Sequence, residues 1–292
     1  MNISTPSAQA IELLCQLIET PRISREETEA AQILFGHMKD VCKLDVRRHG
    51  NNLWAIAPHF SSQKPTLLLN AHVDTVKPVS GWKKDPWKAT LEGDCLYGLG
   101  SNDDGASLVT LLYAFIELSG KQQPYNLVFL ASAEEEVSGK NGIESVLSLL
   151  PHIDVAIVGE PTCMQPAIAE KGLMVLDVTA HGTSGHAARE EGDNAIYHAM
   201  DDMQWFRTHK WPLVSNFLGP VKMTVTIVNS GTQHNVIPDT CTFTVDIRSN
   251  ECYTNHELYE KICTQVKGEV KARSFRLGSS HIAPDHPLVA KA

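Results

Sequence analysis

Four stretches of the 292-residue chain put histidine or carboxylate side chains where an apolar run gives out or a loop turns. In TLLLNAHVDTV, residues 66–76, three leucines lead into His72 and Asp74, one residue apart. On an extended segment that spacing sets both side chains on one face, so Asp74 can orient the His72 imidazole as carboxylates orient many metal-ligating histidines. NLVFLASAEEE, residues 126–136, ends in Glu134, Glu135 and Glu136, and DVAIVGEPT, residues 154–162, delivers Glu160. GLGSNDDGAS, residues 98–107, adds Asp103 and Asp104 ahead of a helical pattern.

One histidine with several carboxylates suits a divalent ion such as zinc, cobalt or manganese. Two such ions about 3.5–4 Å apart need a shared ligand, and a loop aspartate, with Asp103 as the candidate, can bridge them. Neighbours within the triple glutamate point to different sides. One can therefore bind metal while the next acts as general base. Singly, each acid reads as a solvated loop charge; as a set they read as a site.

The elements that must position these groups follow from hydrophobic periodicity. Thr5-Pro6 opens a helix carrying Ile11, Leu14, Leu17 and Ile18 at helical spacing, and Ser24 with Glu27 predicts a capping box for a second helix. Strands are expected over 41–46 and 53–57, then over 66–72, 125–132 and 154–158, with helices over 106–118 and 143–150. Apolar strands ending in polar residues fit an α/β sheet that binds its ligands at the carboxyl edge. From about residue 170 the order is β-α-β-β-α-β, the split-βαβ or ferredoxin-like arrangement. The division expected is 1–167 for a metal-binding catalytic domain, resuming at 278–292, and 168–277 for a dimerisation or lid domain.

The net charge of −9 offers no basic stripe, which argues against a nucleic-acid or anionic-membrane partner and toward a small-molecule substrate. The seven cysteines are scattered with no C-x-x-C spacing, so neither a disulfide framework nor a thiolate zinc site is indicated. No stretch approaches the roughly 20 apolar residues of a membrane span, and a cytoplasmic protein is expected.

As an ordered set, AHVDTV, GLGSNDDGAS, ASAEEEVSGKNG, VGEPT, GTSGHAA, GTQHNVIPD and VDIR resemble the co-catalytic zinc deacylases and peptidases, a family that includes acetylornithine deacetylase and succinyl-diaminopimelate desuccinylase. The run from GEPTCMQPAIAEKGLMVLDVTA through HAAREEGDNAIY is most similar to acetylornithine and succinylornithine deacetylases. The resemblance implies a three-layer α/β/α zinc-exopeptidase-like catalytic domain with an inserted ferredoxin-like dimerisation domain. It implies a homodimeric enzyme with two zinc or cobalt ions that removes the N-acyl group of an amino acid, most closely N-acetylornithine or N-succinylornithine in arginine biosynthesis. A dipeptidase or general aminoacylase of the same family is the alternative.

The resemblance also assigns roles. His72 and Glu160 bind one metal, Asp103 bridges, Glu136 binds the second, and Asp74 orients His72. Glu135 takes a proton from metal-bound water, the hydroxide attacks the amide carbonyl, and Glu135 returns the proton to the departing amine. His186 stabilises the oxyanion across a dimer. Asn235 and Arg248 hold the substrate's polar end, although Arg248 can equally close a salt bridge at its strand end. Two departures stand out. Asp104 follows Asp103 where the family has a small residue or methionine, so the bridge can fall one residue later. The family's last metal ligand is a C-terminal histidine, and no such motif occurs before Ala292; the resemblance therefore implies a second site short of one ligand in this chain, with either a longer full protein or an impaired, non-catalytic dimerising or binding form as the alternatives.

Overall fold

The computed structural model describes residues 5–189 and 191–291. The chain divides into two compact units at Met164/Gln165. In the first, helices α1 (Pro6–Glu19), α2 (Thr28–Gly36) and α3 (Ser107–Ser119) accompany strands β1 (Val46–His49), β2 (Asn52–Ile56), β3 (Thr66–His72), β4 (Asn126–Ser132) and β5 (Val155–Val158). The strands form one mixed sheet in the order β1-β2-β4-β3-β5. β3 runs parallel to both neighbours, with His72 opposite Ser132 and Asn70 opposite Val158. That register brings the residues after three strand ends to one edge, which is why His72, the glutamate triplet and Glu160 converge.

The helices bury Leu13, Leu17, Ile18, Leu34, Leu108, Leu112 and Phe115 against one sheet face. Thr5 caps α1 by accepting from the Ala8 N–H, as its sequence predicts. On the other face Trp54, Leu68, Val128 and Leu130 meet Val146, with Leu150 and Ile153 beside them. Burial on both faces explains why β4 is apolar without alternation from Leu127 to Ala131.

Three local expectations are corrected. Residues 143–150 form two single 3₁₀ turns, Ile143–Ser145 and Leu147–Leu149, instead of a helix. The Ser145 hydroxyl takes the carbonyls of Asn141 and Gly142, and Pro151 holds Leu150 extended, so no third turn can propagate. Residues 37–41 form a wide helical turn continuing α2, and the strand begins only at Val46. The capping box at α2 is absent: Glu27 is the cap residue, with no side-chain cap bond, because Ser24 donates instead to Asp74.

The second unit contains β6 (Gly172–His181), α4 (Ala195–Thr208), β7 (Lys222–Ser230), β8 (Thr240–Ser249), α5 (Asn255–Cys263) and β9 (Glu269–Ala272). Its sheet has the order β7-β8-β6-β9, antiparallel throughout. The last strand falls a few residues earlier than the 272–276 expected from sequence. Met174, Leu176, Val178 and Ala180 alternate inward along β6 and pack with Phe206, Leu258 and Ile262 of the helices. Residues 278–292, expected to rejoin the first unit, group with the second. Ser280–His281 pairs with Ala169–Glu170 there, and the Ile282 N–H donates to the Ile168 carbonyl at 2.8 Å, so backbone pairing holds the segment. Among the described residues no helix is long and apolar enough to cross a membrane.

Candidate metal centre

His72 closes β3 and is only 2% exposed, whereas Asp103 and Glu135 beside it are 50% and 51% exposed. The site therefore has a fixed, buried side and an open one. On the buried side Nδ1 of His72 faces the Asp74 carbonyl at 3.0 Å and the Asp74 carboxylate at 3.5 Å. On the open side Nε2 lies 3.1 Å from Asp103 and 3.9 Å from Glu135.

Asp74 is fully buried and reaches further than its sequence position suggests. One carboxylate oxygen accepts the Glu135 N–H at 3.0 Å; the other accepts the Glu136 N–H at 3.2 Å and the Ser24 hydroxyl at 2.7 Å. The turn behind those glutamates is held from below by Asn52, whose Oδ1 accepts the Ala133 N–H and whose Nδ2 donates to the Asn141 carbonyl at 2.6 Å. Glu134 points away from the cluster, accepting from the Asn141 side chain at 2.8 Å. Asp104 is also turned inward, accepting the His72 N–H at 3.1 Å, and it is Asp103 that meets the imidazole.

In each of two groups the donor atoms lie within 4.8 Å of one another: His72 with Asp103 and Glu136, and His72 with Glu135 and Glu160. Every residue expected to ligate metal occurs in one or other of these groups, and His72 is common to both.

The electrostatics describe a cluster short of positive charge. Burial alone would lower the His72 pKa, but the adjoining Asp74, with Asp104 and Glu135, outweighs it and pushes the imidazole up to about 9. Burial pushes Glu160 up to about 7, the charges of Glu135, Asp104 and Asp103 adding to it while His72 opposes it. Glu136 is raised as well, by burial and then by Asp103. Carboxylates that resist ionisation around an imidazole held cationic are what crowded acids produce without a counter-ion. A divalent cation supplies that missing charge, and imidazole nitrogen with carboxylate oxygen is a donor set that zinc and cobalt accept. The residues present fit the group.

Arg22 and Ser24 were not legible as site residues. Arg22 is fully buried and donates to the carbonyls of Val73 and Gly100. Burial lowers its pKa to about 10 against the pull of Asp74, Asp104 and Asp103, so it stays cationic at neutral pH. Its partners lie 51 and 78 residues away, a separation that no local pattern reports.

The remaining candidates belong to the second unit. His186 is exposed on a short strand, Gly185–His186, paired with Val236–Ile237. The Ala187 N–H donates to the Asn235 carbonyl at 3.0 Å, so His186 and Asn235 are brought together. Nδ1 of His186 accepts the Ala188 N–H, which leaves Nε2 as the protonated ring nitrogen of the neutral form. Arg248 stands near the far end of β8, where its Nε donates to Asp246 at 2.9 Å, the salt-bridge alternative open in the sequence.

A family model described as peptidase family M20/M25/M40 matches residues 68–289. Succinyl-diaminopimelate desuccinylase 2 of Ruegeria sp. (strain TM1040) is 27% identical over 308 residues, spanning 98% of this chain and 76% of that protein. Acetylornithine deacetylase of Proteus mirabilis (strain HI4320) is 30% identical over 294 residues, spanning 94% of this chain and 74% of that protein. The YXEP protein of Bacillus subtilis, whose crystal structure is described as a dinuclear metal binding peptidase from the M20 family, shares the fold with a TM-score of 0.66 at 14% identity, over 95% of this chain and 76% of that one.

Proposed function

The chain belongs to peptidase family M20/M25/M40 and is a metallo-hydrolase, and from that premise we propose that it removes the N-acyl group of an amino acid, N-acetylornithine or N-succinylornithine, as in arginine biosynthesis. The observation that carries this reading is the pair of donor groups sharing His72, one of which includes half-exposed Glu135. In this reading His72, Glu160, Asp103 and Glu136 would hold the ions. Two divalent ions, zinc or cobalt, supply Lewis acidity toward the scissile carbonyl and acidify water beside them.

The rest falls to side chains of this protein. Asp74 keeps the His72 ring oriented and, through the N–H groups of Glu135 and Glu136, keeps both glutamates facing the same space. Glu135 takes the proton of the attacking water and passes it to the leaving amine, a role that its exposure on the open side permits. His186, with Nε2 as donor, serves the developing oxyanion from the partner copy of a homodimer. Asn235 and Arg248 receive the substrate's polar end, a guanidinium being suited to a carboxylate. The exposed Ile227 and Val228 of β7, with Tyr197 and Met200 of α4, support the dimer.

The test is turnover of N-acetylornithine, N-succinylornithine and simple dipeptides by the zinc- or cobalt-loaded chain, read as released amine. We expect the acyl-ornithines to be preferred, and Glu135→Gln to lower kcat by at least about 100-fold with metal content unchanged. Preference for dipeptides would replace the substrate assignment. Full activity of Glu135→Gln would remove the mechanism, and metal bound without turnover of any of them would favour a binding role. Sedimentation of the same preparation as a monomer would remove the partner-copy role of His186.

A further inference from the structure

The Arg22 side chain joins two segments that each carry a candidate ligand. Its Nη1 donates at 2.6 Å to the carbonyl of Val73, the residue between His72 and Asp74. Its Nη2 donates at 2.8 Å to the carbonyl of Gly100, which opens the loop leading to Asp103. A planar fork can bond two separate acceptors at once, and a single ammonium on a shorter stem cannot reproduce that span.

The surroundings are shaped to receive the fork. Gly100 has φ 72°, and a Cβ there would meet Nη2 of Arg22 at 2.5 Å. A Cβ on Gly105 would come within 3.0 Å of the same nitrogen and 2.4 Å of the Gly100 carbonyl oxygen. The backbone that projects Arg22 is fixed too. Its carbonyl accepts the Thr75 N–H at 2.9 Å, and the Ser24 N–H donates to the Thr75 carbonyl at 3.1 Å. Residues 22–24 thus run alongside 73–75, with Ser24 taking Asp74 while Arg22 takes Val73. Asp74, Asp103 and Asp104 offset the buried charge, so the guanidinium is tolerated only where those acids are.

We propose that Arg22 is a positioning residue of the metal centre, setting the separation of His72 and Asp103 by tying the end of β3 to the loop before α3. The assignment rests on reading the cluster as a metal centre. A group that only filled space here would be replaceable by methionine, and one that only supplied charge would be replaceable by lysine.

The experiment is a cobalt(II) titration of the full metal-free chain, followed by visible absorption and calorimetry, with urea unfolding in parallel. Wild type is expected to bind cobalt with a d–d band that His72→Ala removes. Arg22→Lys and Arg22→Met are expected to fold, to bind cobalt about 10- to 100-fold more weakly, and to shift the band per bound ion, the affinity loss being that typical of groups supporting metal ligands. A protein that is merely less stable loses amplitude with its unfolded fraction and keeps the wild-type band. Folded Arg22→Lys with affinity within about twofold of wild type and an unchanged band overturns the proposal. Should both variants fail to fold, Gly100→Ala, which crowds Nη2 from the loop side, is read the same way. A wild type that binds no cobalt overturns the metal reading itself, and the role of Arg22 with it.

Discussion

Asp74 and Glu27 show how differently two buried carboxylates can be held a short distance apart. Asp74 accepts from Ser24 and two backbone N–H groups, and although burial alone would raise its pKa, those bonds and His72 keep it low. Glu27 is fully buried, and among the described residues no side chain donates a hydrogen bond to either of its oxygens. Burial pushes its pKa up, and the charges of Asp74 and Glu134 add to it, against the opposing pull of the nearby Glu27 and Glu134 backbone N–H groups. A folded-state pKa above the unfolded value means that the folded form binds the proton more tightly. The associated stability is present below the unfolded pKa and is lost as pH rises through the folded one. Glu27→Gln, which mimics the protonated acid, is therefore expected to match wild type near pH 4.5 and to be the more stable protein at pH 8. Urea unfolding at both pH values checks this, and a wild type that stays ahead at pH 8 would refute it. His72 and Asp74 were legible because alternation along a strand is a local rule. Ser24 with Glu27 reads as a capping box because the three-residue spacing is right for one, and spacing carries no information about the partner 50 residues away that Ser24 takes instead.

The turn that carries Glu135 and Glu136 is built by neighbours rather than by its own sequence. Glu134 and Ser138 bracket it in left-handed conformation at φ 53° and 45°, regions that non-glycine residues enter only under constraint. Asn52 on β2 supplies much of that constraint, since it is fully buried and satisfies both Ala133 and Asn141. Asn52→Ala would leave the buried Ala133 N–H unpaired, while the Asn141 carbonyl keeps the Ser145 hydroxyl, for an expected loss of about 1–3 kcal/mol in denaturant-derived stability. A loss below about 0.5 kcal/mol would show that the turn holds itself. The same logic marks the limit of periodicity at element scale. The buried strands β3 and β4 and the helix α3 announce themselves through long apolar runs, whereas residues 143–150 have helical spacing and still break into 3₁₀ turns. There a serine side chain and a following proline outweigh a pattern only two turns long.

At the scale of the molecule, two separate hydrophobic cores carry the two units, and every candidate metal donor lies in the first. Zinc added to the metal-free chain is therefore expected to raise one calorimetric transition and leave a second in place. At a free concentration 100-fold above Kd the gain is about 2.7 kcal/mol, reversed by EDTA. A single transition that moves as a whole would contradict this. The β-α-β-β-α-β order of the second unit was readable because each of its elements is amphipathic by itself. The placement of residues 278–292 was not, since a two-residue pairing such as Ser280–His281 with Ala169–Glu170 leaves no periodic trace. The register of β3 has a further consequence. His72 sits opposite Ser132 across a parallel ladder, and a slip of one residue would swing the imidazole to the opposite sheet face, away from both Asp103 and the glutamate turn. A chain refolded with that slip would be compact yet blind to metal, so ion uptake would act as a proofreading signal that separates correctly threaded molecules from near-native impostors.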